Sequence, residues 1–330
     1  MTSKLNLSFA CGRYDRTDAL AHGEIHPAGI DLNYITIGHP RDIFDRMVGG
    51  LEFDVSEMSA SEYICRYVDG ERDLIAIPVF PSRSFRHDCI AVNTNLVKTP
   101  ADLNGKRIGV QLYTMTAAVW IRGALQDMGV DLSTITWVEG DFEKPGPHGK
   151  ANPKPLLRPA NRIPNETGKS LGQCLQDGDV AATIGAVVPS CVGKVPHIRH
   201  LFPDVRQATK EYYLQTKIFP IMHLVVIKKK IVDRYPFVVT SMFNALNDSK
   251  DLALRRMKSP GTHRYMLPFL PSYLDEIDDI FGGDPWPYGL EENRKPLEAL
   301  VTYLEDQALI RHKVPLEELF APIYGKNLKR

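Results

Sequence analysis

The sequence predicts an α/β fold divided into two domains, and three observations carry that expectation. Strand-like apolar runs alternate with segments of helical period along the whole chain, as when strands are covered by helices. The 330 residues correspond to about two ordinary domains, enough to bury a large core without covalent staples. The five cysteines (Cys11, Cys65, Cys89, Cys174, Cys191) are scattered, odd in number and without a C-x-x-C spacing, which sets aside a disulfide framework or zinc finger.

Taken in order, strands are expected at Leu5–Phe9, Ile30–Ile35, Leu74–Val79, Ile90–Asn93, Arg107–Val110, Ile135–Val138, Val180–Ile184 and Met222–Ile227. Leu5, Leu7 and Phe9 alternate, the period of a half-buried strand. Ile43, Phe44, Met47 and Val48 make one apolar helix face. Further helices are expected at Thr116–Met128, within Gly168–Gly178, at Ile231–Met257, where Pro236 fits only a first turn, and at Leu297–Ile310. Residues 145–164 hold six prolines and read as a loop or extended arm, either a surface insertion or a lid or subunit contact. No internal repeat is present.

Charge narrows the function. Lys+Arg and Asp+Glu number 40 each, which argues against a nucleic-acid binder or a polybasic membrane-surface protein. No run of 18 apolar residues is available to span a bilayer. The first residues, MTSKLNLSFACGRYD, lack an apolar h-region and a small-residue cleavage site, so a cytoplasmic protein is expected. The segment Tyr265–Tyr273 and the helix Leu297–Ile310 read either as core or as a subunit interface, with a homo-oligomer preferred. No P-loop, dinucleotide-binding glycine motif or G-x-S-x-G occurs.

Ligands of open α/β sheets bind beyond the carboxyl ends of strands, against helix amino termini, and five loops fit that position. Gly12–Thr17 contains Tyr14 and Arg16, either a solvated turn or an anion clamp. Ser56–Ser59 ends in Ser59, a helix cap or a hydroxyl facing a ligand. Ser82–His87 sets Arg83, Arg86 and His87 beside apolar strands. Gln111–Thr116 joins a strand to a helix and offers Tyr113, Thr114 and Thr116, for capping or anion binding. Phe219–His223 brings His223 into an apolar strand, as a core residue or a general acid. The spaced pairs His22/His26 and His197/His200 lack the Glu of H-E-x-x-H, so no metal site is expected.

Taken together, YDRT (14–17), FDVSEMS (53–59), SRSFRH (82–87), TAAVWIRG (116–123), ITWVEGD (135–141), FPIMH (219–223) and DPWPYGLEENR (284–294) resemble the 4,5-dihydroxyphthalate decarboxylase family, from about Leu5 to Phe320. Gln111-Leu112-Tyr113 departs from the Pro-Glu-Tyr usual there. The resemblance implies a two-lobed type II periplasmic-binding-protein-like fold with a central ligand cleft. Lobe one would be 1–94 with 225–330, lobe two 95–224, and a two-strand hinge would lie near Ile90–Asn93 and Met222–Ile227.

The implied activity is cofactor-independent decarboxylation of a hydroxylated aromatic dicarboxylic acid in phthalate catabolism, most closely 4,5-dihydroxyphthalate to protocatechuate and CO2. Another hydroxylated aromatic acid, or a non-catalytic solute-binding role on the same fold, are the alternatives. On this reading His223 or His87 donates the proton, with Tyr14 and Tyr113 as lesser candidates. Arg16, Arg83 and Arg86 recognise carboxylates and phenolates, with Thr114 and Thr116 completing the anion site and Tyr14, Ser59 and Tyr113 lining it. No metal is expected, a divalent ion chelated by the substrate catechol being the alternative.

Overall fold

A computed structural model describes residues 4–148, 161–261 and 264–324, and it divides the chain into two units. The first takes the chain up to Arg83, then Ile221–Leu297, then the segment from Val314. The second is Ser84–Pro220 with Glu298–Lys313.

In the first unit the chain runs β1 (Leu5–Cys11), α1 (Asp15–Ala21), β2 (Ile30–Thr36), α2 (Pro40–Gly50), β3 (Val55–Ser59), α3 (Ala60–Val68) and β4 (Leu74–Arg83). The second unit holds β5 (Ile90–Asn93), β6 (Arg107–Val110), α4 (Thr116–Asp127), β7 (Thr136–Glu139), β8 (Arg162–Pro164), α5 (Leu171–Asp177), β9 (Ala182–Ile184), β10 (Ile198–His200) and α6 (Val205–Thr216). The chain then continues through β11 (Ile221–Lys228), α7 (Lys229–Arg234), α8 (Phe237–Met257), α9 (Leu270–Phe281), α10 (Arg294–Asp306) and α11 (Leu316–Leu319).

Among the described residues the first sheet has the order β2-β1-β3-β11-β4, and the second β10-β5-β9-β6-β7-β8. Both are mixed. In the first, β1 is parallel to β2 and β3, while β11 runs antiparallel to β3 and β4. Central strands covered on both faces need apolar side chains on both, and β11 complies: all of its residues except His223 are buried. In α2 the apolar spacing buries Ile43, Phe44 and Met47. Ser170 caps α5, and Gly178, at φ 82°, ends it in the left-handed region that glycine tolerates.

Several expectations shift. The run expected as one helix over Ile231–Met257 is two, α7 and α8, because Pro236 lacks the N–H that continuity requires and instead precedes the first turn of α8. Ser82–Arg83 is not a loop but the end of β4, paired with β11 at Ile221↔Arg83. The residues around Glu57, expected as a loop, form β3. The proline-rich segment ends in β8, paired with β7; residues 149–160 of it lie outside the described residues. In the segment 265–273, Met266, Leu267, Phe269 and Tyr273 are exposed and Leu270 is buried, so only part of it packs into the core.

The boundaries 1–94, 95–224 and 225–330 move too. β5 is bonded to β9 and β10, which places Ile90–Asn93 in the second unit, and β11 belongs wholly to the first sheet. The two strands named as the hinge are therefore interior strands of separate sheets, and the chain passes between units at Arg83/Ser84 and Pro220/Ile221. It does so again on either side of Glu298–Lys313. That last segment serves the second unit because α10 packs on α4: Trp120 and Tyr303 meet edge to face with centroids 5.6 Å apart, and Gln307 bonds to the buried Arg122. No helix among the described residues is long and apolar enough to cross a membrane.

Gly123 is the close approach that permits this packing, since a Cβ there runs into the Tyr303 ring. Gly123→Ala is expected to destabilise the protein by about 1–3 kcal/mol, read as a lower urea midpoint at unchanged m-value. An unchanged midpoint would mean that Tyr303 moves aside freely.

Candidate active site

The first unit gathers its polar side chains around one buried carboxylate. All five residues of β3 are buried, and Glu57 is 0% exposed. Side chains alternate along a strand, so Glu57 and Ser59 share one face, and His223, opposite Ser59 on β11, shares it as well. Four donors reach the carboxylate. Oε2 accepts from the Gly12 backbone N–H at 2.8 Å and from the Cys11 thiol at 3.4 Å. Oε1 accepts from the Tyr14 hydroxyl at 2.6 Å and lies 2.5 Å from His223 Nδ1.

Burial opposes charge on Glu57, but the His223 imidazole and the hydrogen bonds outweigh it and bring its pKa from 4.5 down to about 2. The neighbours respond in the opposite sense. Burial, and then the Glu57 charge, push the Tyr14 hydroxyl and the Cys11 thiol up, so both stay protonated as donors. A Glu57 carboxylate at Nδ1 fixes the His223 tautomer with Nδ1–H directed at it. His223 Nε2 has no hydrogen-bond partner among the described residues, and the side chain is 18% exposed. Phe44 packs edge-on against the imidazole, with centroids 5.0 Å apart.

Arg16 stands beside this group, in the first turn of α1. Its Cζ lies 4.3 Å from the Tyr14 ring centroid and 4.3 Å from the Trp286 ring centroid. Nε donates to the Pro81 carbonyl at 2.6 Å and Nη1 to Asp15 Oδ1 at 3.0 Å. Ser59 is the cap of α3, its Oγ accepting from Glu62 N–H at 3.4 Å. Arg83 turns into the first unit, where its Nη2 bonds to Asn293 Oδ1 and to the Pro287 carbonyl at 3.0 Å. That arrangement holds the 287–293 segment.

The remaining sequence-derived candidates lie in the second unit. His87 is 5% exposed and sits among the rings of Phe202, Tyr212 and Phe85. Neither ring nitrogen has a hydrogen-bond partner among the described residues. Burial brings its pKa down from 6.5 to about 4, so the neutral imidazole and not the imidazolium is the form favoured at neutral pH. Arg86 Nη1 donates to the Ala186 carbonyl at 3.1 Å.

Tyr113 is buried, and its backbone is held from both ends. Its N–H donates to Glu139 Oε1, and its carbonyl accepts from Arg122 Nη2, each at 2.8 Å. Its ring lies under the Arg122 guanidinium. Thr116 opens α4, but the cap position is Met115, whose side chain makes no capping bond, so neither Thr114 nor Thr116 is the helix cap. Gln111 is buried with its Nε2 3.2 Å from His148 Nδ1.

Sequence reasoning missed two residues of the first-unit group, Glu57 and Trp286. Glu57 had a signal: an acid within the run Val55-Ser56-Glu57-Met58-Ser59, where a buried strand tolerates a charge only if it is fully bonded. Among the described residues no group of three or more His, Cys, Asp or Glu side chains is placed to hold a metal ion.

Among solved structures, the periplasmic aliphatic sulphonate binding protein of Escherichia coli aligns with a TM-score of 0.51 at 16% identity, over 99% of this chain and 96% of that one. A putative periplasmic sulfonate-binding protein of Methylobacillus flagellatus aligns with a TM-score of 0.53 at 12% identity, over 98% and 93%. The chain thus has the two-lobed α/β fold of the type II periplasmic-binding-protein-like class, one mixed sheet in each unit. No protein-family model matches it.

A 4,5-dihydroxyphthalate decarboxylase of Comamonas testosteroni is 34% identical over 330 residues, covering 99% of both chains. One from Pseudomonas putida is 38% identical over 216 residues, 64% of this chain and 82% of that protein. The chain belongs to the 4,5-dihydroxyphthalate decarboxylase family.

The two shifted groups give separate pH signatures. A carboxyl with a native pKa below its unfolded value stabilises the fold above the unfolded value and loses that contribution as pH falls. For Glu57 the loss runs from pH 4.5 down to about 2. A histidine buried as the neutral base loses its contribution as pH falls from 6.5 to about 4. Urea midpoints measured against pH are expected to flatten in the lower window for Glu57→Gln and in the upper window for His87→Phe. Identical slopes in wild type and variants would contradict the assignment.

Proposed function

We propose that the protein is a carboxy-lyase acting on a hydroxylated aromatic dicarboxylate, with 4,5-dihydroxyphthalate as substrate and protocatechuate and CO2 as products. Two relatives that carry this activity in their names support the substrate, one of them over nearly the full length of both chains. The observation that carries the chemistry is the Glu57–His223 pair, with Nδ1 committed to a buried carboxylate and Nε2 left for a ligand.

The reaction needs a proton on the carbon that bears the departing carboxylate. In 4,5-dihydroxyphthalate one hydroxyl is para to that carbon, and its electrons make the carbon basic. Protonated His223 delivers the Nε2 proton there, a C–H bond forms, and the ring becomes a protonated dienone, its positive charge carried on the para hydroxyl oxygen. The C–C bond to the carboxylate then breaks, its electron pair restores the aromatic ring, and CO2 leaves. Glu57 stabilises the imidazolium before transfer and keeps the ring oriented, and His223 regains its proton from solvent. Tyr14 holds Glu57 in place from the other side of the same oxygen. Arg16 receives a substrate carboxylate through its guanidinium edge.

Turnover is measured by chromatography of protocatechuate after incubating EDTA-treated protein with 4,5-dihydroxyphthalate. His223→Gln is expected to lower kcat by about 10²–10⁴-fold, and His87→Asn to leave it near wild type. In D2O the product is expected to carry one deuterium at the carbon that lost CO2. Near-normal turnover by His223→Gln would overturn the acid assignment. Saturable binding of 4,5-dihydroxyphthalate without product would overturn the enzymatic reading.

A further inference from the structure

The segment DPWPYGLEENR (284–294) stands out in the sequence, and the proton-transfer chemistry does not use it. Within the first unit it delivers Trp286 to Arg16. The indole is fixed at two points: Nε1–H donates to the Phe80 carbonyl and the backbone N–H to Asp284 Oδ1, each at 2.8 Å. Asp284 is itself paired through Oδ2 with Lys250 Nζ, and Lys250, on α8, is 3% exposed. Two residues beyond the indole, the buried Tyr288 ring lies 5.5 Å from the same ammonium group. This pair joins the buried ammonium to a part-exposed carboxylate and, with the two Trp286 hydrogen bonds, ties the segment carrying Trp286 to α8 and β4.

Arg16 is thereby in cation–π contact with two rings at equal separation, and one of them, Tyr14, is bonded to the Glu57 carboxylate that orients His223. With two rings against it, Nε on Pro81 and Nη1 on Asp15, the guanidinium has its Nη2 amino group unbonded among the described residues. A planar fork held in this way accepts a carboxylate through its remaining edge.

We propose that Trp286 is a positioning residue for substrate binding. With Tyr14 it holds the Arg16 guanidinium in place by ring contact, so that the free Nη2 group receives a substrate carboxylate in a fixed orientation relative to His223. The inference rests on the reading of the protein as a decarboxylase in which Arg16 receives a carboxylate, and it extends that reading to a residue outside the proton-transfer group. Trp286 acts through Arg16 and takes no part in bond making.

The test compares KM and kcat for 4,5-dihydroxyphthalate with the Kd for phthalate, the dicarboxylate without the hydroxyls. Trp286→Leu is expected to raise KM and Kd about tenfold, with kcat within about threefold of wild type and the pH profile of kcat unmoved, because binding is lost and the acid is not. Trp286→Phe, which restores an aromatic face, is expected to recover most of the affinity. A merely structural role would lower the urea midpoint without this separation of KM from kcat. If Trp286→Leu does not fold, Trp286→Met decides by the same criterion.

Arg16→Met separates the two levels. If Arg16→Met raises KM and a folded Trp286→Leu or Trp286→Met keeps the wild-type KM, the positioning role is overturned and the reading of Arg16 stands. If Arg16→Met itself leaves KM unchanged, the reading of Arg16 fails and the positioning role fails with it.

Discussion

The first unit is organised around a negative charge that it would be unfavourable to bury alone. Glu57 has no access to solvent, and a carboxylate in that state survives only with its lone pairs filled. The donors come from three places in the chain: the end of β1, the Tyr14 position before α1, and β11, which returns from far along the sequence. The carboxylate is therefore a point at which the parallel and antiparallel parts of the sheet must agree in register. A slip of one residue in β11 would turn His223 to the opposite face and leave Glu57 without its strongest counter-charge.

This arrangement also separates the histidines chemically. Both entered the sequence reading as imidazoles near apolar strands, equal on composition alone. One has a buried anion at Nδ1 and a part-exposed side chain. The other lies among aromatic rings with no counter-charge bonded to it among the described residues. An acid catalyst needs a partner that favours its charged form, and of these two histidines His223 has one in hydrogen-bond contact.

Much of the fold was legible in the chain because periodicity and apolar runs report burial directly: β5 and β6 appear at the expected residues and α4 within one of them. What was not legible depends on contacts distant in sequence. β3 contains two serines and an acid in five residues and reads as a loop until its neighbours on both sides are known. Arg83 lies among cationic residues and reads as ligand-binding, whereas Asn293, 210 positions away, accepts its hydrogen bond. The same limit applies to the site. Tyr14, Arg16 and His223 could be picked out by the rule for strand ends, although the structure places Arg16 in α1 and His223 in β11, but the role of Trp286 depends on a ring contact that no spacing reveals.

Neither unit is a continuous stretch of polypeptide. Glu298–Lys313 belongs with residues synthesised far earlier, and the following segment returns to the first sheet, where Phe320 bridges to Ala76 and the Ala321 N–H bonds to the Ala76 carbonyl at 2.8 Å. During synthesis both units therefore lack part of their packing until residues 298–321 have been made. Strand β4 waits for Ala321, and α4 waits for Tyr303 and Gln307. Closing loops of that length comes late in folding and makes it slow, so the nascent chain has no finished domain to set aside while the rest is made.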